Sequence, residues 1–77
     1  MLIPCAICKG HQQVKSMNPK DIEKVMFRVT RLGKIDSDGE IEILKDDASI
    51  DICSGCVEKM KSGTYEFRDD GTMLQRV

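Results

Sequence analysis

Four cysteines stand in two pairs, Cys5-Ala6-Ile7-Cys8 near the start of the chain and Cys53-Ser54-Gly55-Cys56 two-thirds of the way along. Each pair has two thiols separated by two residues, a spacing at which both sulfurs of one tight turn converge on a single ion. Two such turns supply four sulfurs, the donor set of a closed tetrahedral zinc site. A catalytic zinc keeps one position open for water, and four thiolates leave none. No Ser/His/Asp set, phosphate-cradling glycine loop or helix with paired carboxylates accompanies the cysteines, so the expectation is a non-catalytic protein. His11, the only histidine, follows Cys8 by three positions. It is a candidate to replace one sulfur, or else an exposed loop residue or a donor to the ligands.

Three other chemistries use the same cysteines. A rubredoxin-like iron site also takes two C-x-x-C turns, but such sites are shielded by aromatics, and this chain has only Phe27, Tyr65 and Phe67. A thioredoxin-type redox pair needs one C-x-x-C in a βαβ context. Structural disulfides need an oxidising compartment. The N-terminal Met1-Leu2-Ile3-Pro4-Cys5 lacks the regions of a secretory signal, and no apolar run is long enough to span a bilayer. The expected setting is therefore the reducing cytoplasm with no membrane partner. Asp36-Ser37-Asp38-Gly39 resembles part of a calcium loop, but Lys34 and Lys45 fall where acidic ligands belong, so a hairpin turn is expected there.

With 77 residues, one domain is expected over residues 1–77. A chain of this size builds a marginal core unaided, and a structural metal is the usual remedy. The net charge of −1 conceals an asymmetry: residues 1–34 carry seven basic and two acidic side chains, residues 35–77 five basic and eleven acidic. The basic half offers a candidate nucleic-acid surface, Lys24, Arg28, Arg31 and Lys34, with Lys24 and Arg28 sharing a strand face. A strongly basic pI and stacking aromatics are missing. The alternative is a protein partner, met at an exposed hairpin edge or by Tyr65, Phe67, Met73 and Leu74; the same four side chains can instead complete the core or a homodimer.

The elements that must position the cysteines follow from pattern. Gly10 after the first pair suits a knuckle turn. His11 to Lys20 is polar and reads as a loop. Asn18-Pro19-Lys20-Asp21 carries a helix-start signal. Residues 19–32 fit both helical and strand periods; a strand from Val25 to Leu32 is preferred, with the Asn-Pro segment as a turn or a single helical turn. After the turn at 33–39, Glu40 to Leu44 alternates and makes a long hairpin with that strand, Ile41 and Ile43 sharing a face. Ser49 to Cys53 alternates again and delivers Cys53 to the metal. Val57 to Lys61 reads as a short helix that Gly63 can close. Thr64 to Val77 reads as a second hairpin or a frayed tail, with an Asp70-Gly71 turn setting Phe67 opposite Leu74.

Knuckle, β-hairpin, then a second cysteine pair opening a helix is the order of a treble clef. On Cys5-Ala6-Ile7-Cys8-Lys9-Gly10 and on the segment from Ile50 through Cys53 and Cys56 to Met60, the chain resembles the small treble-clef zinc-binding proteins of bacteria and their viruses. The resemblance implies one structural zinc ion at Cys5, Cys8, Cys53 and Cys56. It also implies a small α+β domain, with residues 1–63 forming the treble-clef-like unit and 64–77 a C-terminal hairpin or tail. Members of this broad group bind nucleic acid, carry nuclease motifs, or bind transcription proteins such as sigma factors. The expected function is a small regulatory or accessory module that binds a protein, the transcription machinery among the candidates.

Overall fold

The computed structural model describes residues 1–77 as a small α+β structure, elongated to 41 × 23 × 17 Å. Its strands form three sheets. A two-stranded ribbon of β1 (Leu2–Pro4) and β2 (His11–Gln13) carries the first cysteine turn at its tip. The second stretch therefore begins as a strand, where a loop was expected. Val14 N–H donates to the Met1 carbonyl at 2.8 Å, and Ile3 and Val14 are both buried. One apolar side chain on each side of the turn suffices to seat so short a ribbon, too few for a visible alternation.

Helix α1 (Pro19–Glu23) forms as the capping signal implies: the Asn18 side chain accepts from Lys20 N–H at 3.0 Å and Pro19 occupies the first turn. Its buried residue is Ile22. The strand expected over 25–32 is two strands, β3 (Met26–Val29) and β4 (Arg31–Ile35), which belong to different sheets and are parted at Thr30. β3 pairs antiparallel with β6 (Ile50–Cys53), Met26 opposite Cys53 and Val29 opposite Ile50. β4 pairs antiparallel with β5 (Ile41–Lys45). The long hairpin thus exists, but it changes sheet halfway. The Thr30 and Arg31 N–H groups both turn to the carbonyl of Gly71, at 2.8 and 3.3 Å, and Ala48 N–H takes the Thr30 carbonyl. These partners are far away along the chain, so no local pattern announces the break.

The outer sheet has four strands in the order β5-β4-β8-β7, where β7 is Tyr65–Phe67 and β8 is Thr72–Arg76. β4 and β8 run parallel, a pairing that hairpin reasoning does not produce. The expected C-terminal hairpin is present, but shifted by one residue: Phe67 faces Met73, and Leu74 faces Glu66. Arg68 N–H bonds to the Thr72 carbonyl, leaving a three-residue loop in which Gly71 alone has a positive φ, +91°. A one-residue slip exchanges faces. It parts Leu74 from the face of Phe67; Leu74 is fully buried, so it cannot be the partner contact proposed from sequence.

Helix α2 (Ser54–Lys61) begins immediately after Cys53, one turn earlier than the expected start at Val57. The Arg76 guanidinium donates to the Lys61 and Gly63 carbonyls at 3.0 and 2.9 Å, satisfying acceptors that the helix end leaves open. The core lies between the ribbon, β3, β6 and the two helices: Ile3, Val14, Ile22, Met26, Val29, Ile52 and Val57, together with three of the cysteines. No helix is long and apolar enough to cross a membrane.

Gly33 holds β4 close to its neighbours. A Cβ there would lie 2.5 Å from the Glu42 carbonyl oxygen and 3.0 Å from Leu74 Cδ2. Since the nearest atom is backbone, the strands themselves would have to part. Gly33→Ala is expected to lower stability by about 1–3 kcal/mol. Urea unfolding of the metal-loaded protein measures it, and an unchanged midpoint would refute the packing argument.

Candidate metal centre

The first cysteine turn is built from backbone. Cys5 N–H bonds to the Gly10 carbonyl at 2.8 Å and Lys9 N–H to the Cys5 carbonyl at 3.0 Å. Lys9 itself takes the left-handed conformation, with φ +64°, in the place where a glycine would be free of strain. Gly10 matters instead for space, since a Cβ at this position would stand 3.4 Å from Cys8 Sγ. The second turn is the junction of β6 and α2. Cys53 ends the strand and Cys56 sits in the first turn of the helix. The Ala6 N–H reaches the Asp51 carbonyl at 2.9 Å, which docks the first turn on β6.

These elements bring all four sulfurs within 4.8 Å of one another. Cys5 Sγ lies 3.8 Å from Cys56 Sγ, and Cys8 Sγ lies 3.8 Å from Cys53 Sγ. With metal–sulfur bonds of about 2.3 Å, a tetrahedral zinc site has sulfur–sulfur edges of about 3.8 Å. The donor set and its spacing therefore fit a zinc ion. The same distances are far beyond a disulfide bond, and all four cysteines are free. Cys5, Cys53 and Cys56 are buried and Cys8 is exposed.

Cys5 is also the best solvated by protein. The N–H groups of Ile7 and Cys53 both point at its sulfur, each at 3.4 Å. Burial pushes the Cys5 thiol up, but the N–H groups of Cys53, Cys8 and Ile7 together outweigh it and bring it down to about 6. Cys56 moves the other way, pushed up to about 12 by its contact with the Cys53 sulfur and then by burial. The two shifts run in opposite directions within one sulfur cluster. A divalent cation favours all four thiolates, and each thiol gives up its proton to bind.

His11 is an exposed β2 residue opposite Pro4 and lies outside the sulfur cluster. The four basic residues do not form one strip. Lys24 follows α1 and pairs with Asp21 at 3.6 Å, so it shares no strand face with Arg28. Arg28 on β3 holds Asp51 through two bonds, at 2.8 and 3.2 Å, whereas Arg31 and Lys34 belong to the other sheet. Of the four side chains considered for a partner, Tyr65, Phe67 and Met73 are half-buried and Leu74 is buried. Phe67 packs edge-on against Phe27, with ring centroids 5.1 Å apart, and Met73 also packs against the core. The Asp36 turn is closed by its own backbone: Asp36 Oδ1 accepts from the N–H groups of Asp38 and Glu40, both at 2.9 Å. Comparison of the chain with protein-family models, curated proteins and solved structures returned no match.

Proposed function

We propose that this chain is a non-catalytic interaction module, held together by one structural zinc ion on Cys5, Cys8, Cys53 and Cys56, that acts by binding a protein partner. The observation that carries the zinc assignment is the convergence of four sulfurs within 4.8 Å. When bound, zinc supplies cross-links and charge neutralisation. Four thiolates fill its coordination shell, so no position remains for a substrate or an attacking water.

A treble-clef plan is our reading of the element order. The β1–β2 ribbon supplies the knuckle, β3 and β6 the hairpin, and α2 the helix that carries the last ligand. β4 and β5 extend the hairpin, and the two C-terminal strands widen that extension into a sheet. In such a molecule the metal half serves as a clasp and the sheet is the surface on display. The resemblance to short treble-clef proteins makes the transcription machinery a reasonable place to look for the partner. The dispersal of the basic side chains, two of them already paired with Asp21 and Asp51, favours a protein partner over nucleic acid.

Two measurements on the purified chain test this reading. Elemental analysis should find one zinc per chain and no iron. Affinity capture with the zinc-loaded protein should retain a specific partner that the chelated protein does not. A chain that purifies metal-free under reducing conditions would end the zinc assignment, and identical capture with and without metal would end the link between clasp and binding.

A further inference from the structure

β5 is the outermost strand of the four-stranded sheet, and all five of its residues are exposed. Three of them are large and apolar: Ile41 and Ile43, each 42% exposed, and Leu44 at 57%. The opposite edge strand, β7, lies beside α2. Open apolar edges invite another strand, and proteins ordinarily guard against them.

The backbone of this edge is ready to pair. Asp36 N–H donates to the Glu40 carbonyl at 3.1 Å, and Lys34 stands opposite Glu42. Bonded pairs alternate along an antiparallel ladder, so Glu40 and Glu42 turn their polar groups toward β4. The 2.5 Å approach of a Gly33 Cβ to the Glu42 oxygen agrees with this. Ile41 and Ile43 then direct their N–H and C=O groups outward. Past Ile43 the register shifts, and this ends the regular edge.

Charge selects the occupant. Asp36, Asp38, Glu40, Glu42, Asp46 and Asp47 border the edge, with Lys45 the one cation between 36 and 47. None of the six carboxylates forms an ion pair. A second copy of this chain would bring carboxylates against carboxylates, which opposes self-pairing. Side chains alternate across a strand, so an added strand meets Glu40 and Glu42 on one face and Ile41 and Ile43 on the other.

We infer that the outer edge of β5 binds an extended segment of a partner protein in which lysine or arginine alternates with apolar residues, added to the sheet as a fifth strand. Main-chain bonds to Ile41 and Ile43 supply the pairing, and the alternation supplies the specificity. This rests on the interaction-module reading and names its surface.

The probe is a fluorescein-labelled peptide, Thr-Lys-Val-Lys-Val-Lys-Thr, titrated against the zinc-loaded full chain by anisotropy. Saturable binding is expected. Its isomer Lys-Lys-Lys-Val-Val-Thr-Thr should bind at least tenfold more weakly. Ile43→Pro removes an outward N–H, and Glu42→Lys reverses the charge; each should cost at least tenfold while zinc content and circular dichroism stay unchanged. Amide exchange at Ile41 and Ile43 should slow in the complex. Equal affinity for the two isomers, or parental affinity in both variants, would overturn the proposal. So would a dimer in sedimentation equilibrium that Ile43→Pro dissolves, since the occupant would then be a second copy. A partner captured equally by Ile43→Pro would refute this edge and leave the interaction module standing, whereas a metal-free chain would refute the module whatever the peptide does.

Discussion

Chelating the metal from the reduced protein is expected to unfold it. The helical circular dichroism signal should collapse, and it should return when one equivalent of zinc is restored. Structural zinc contributes on the order of 10–16 kcal/mol in zinc-finger peptides, whereas whole domains are stable by about 5–15 kcal/mol. Little else in this chain replaces it. Three cysteines sit within the same cluster as Ile3, Val14, Ile52 and Val57, so loss of the ion opens the core itself. The outer sheet buries only Gly33, Thr72 and Leu74 among its own strands, too little to stand alone.

Single substitutions should separate the ligands by burial. Cys53→Ser removes the sulfur at which β6 becomes α2, and Cys5→Ser removes the one that two N–H groups hold. Both are expected to leave the chain largely unfolded. Cys8 is exposed, so water can take its place on the ion, and Cys8→Ser should keep the fold with weakened zinc affinity. Acid should act like the chelator, because every ligand must release a proton to bind. An unfolding midpoint that neither chelation nor Cys53→Ser moves would dismiss the metal as the element that holds this fold together.

The two cysteine turns were legible because their information is local, and the donor chemistry pointed to their convergence. Each C-x-x-C is a turn, and turn geometry depends on neighbours in sequence. The Asn18 cap and the glycine turns at 39 and 71 were legible for the same reason. The departures arise where distant residues decide. From Val25 to Leu32 the residue types favour one strand; the Gly71 carbonyl, 40 residues from Arg31, divides it in two. The Asp70-Gly71 pair signals a turn but not its length, and one extra loop residue puts Met73 instead of Leu74 opposite Phe67. The basic side chains make one patch only if 24 to 34 runs as a continuous element, and the change of sheet at Thr30 disperses them.

That joint at Thr30 makes the second large prediction. Gly71 has φ +91°, and a Cβ there would lie 2.5 Å from Thr30 Oγ1 and 3.4 Å from the Arg28 carbonyl. Gly71→Ala therefore suffers twice. The left-handed backbone costs about 1–2 kcal/mol, and crowding adds about 1–3 kcal/mol. Moving the loop away also weakens the bonds from Thr30 and Arg31 to the Gly71 carbonyl. The expected outcome is a loss of about 2–5 kcal/mol with zinc stoichiometry retained, because the joint lies outside the sulfur cluster. Amide exchange should accelerate in β4 and β8 more than in β3 and β6. Gly39→Ala supplies the control: its φ is +85° but nothing lies within 4 Å, so it carries the backbone cost without the crowding. Thr30→Ala removes the crowded hydroxyl, so combining it with Gly71→Ala should recover part of the loss, a coupling that a double-mutant cycle reads directly. If Gly71→Ala and Gly39→Ala cost the same, and Thr30→Ala recovers nothing, the two sheets are not joined through this contact.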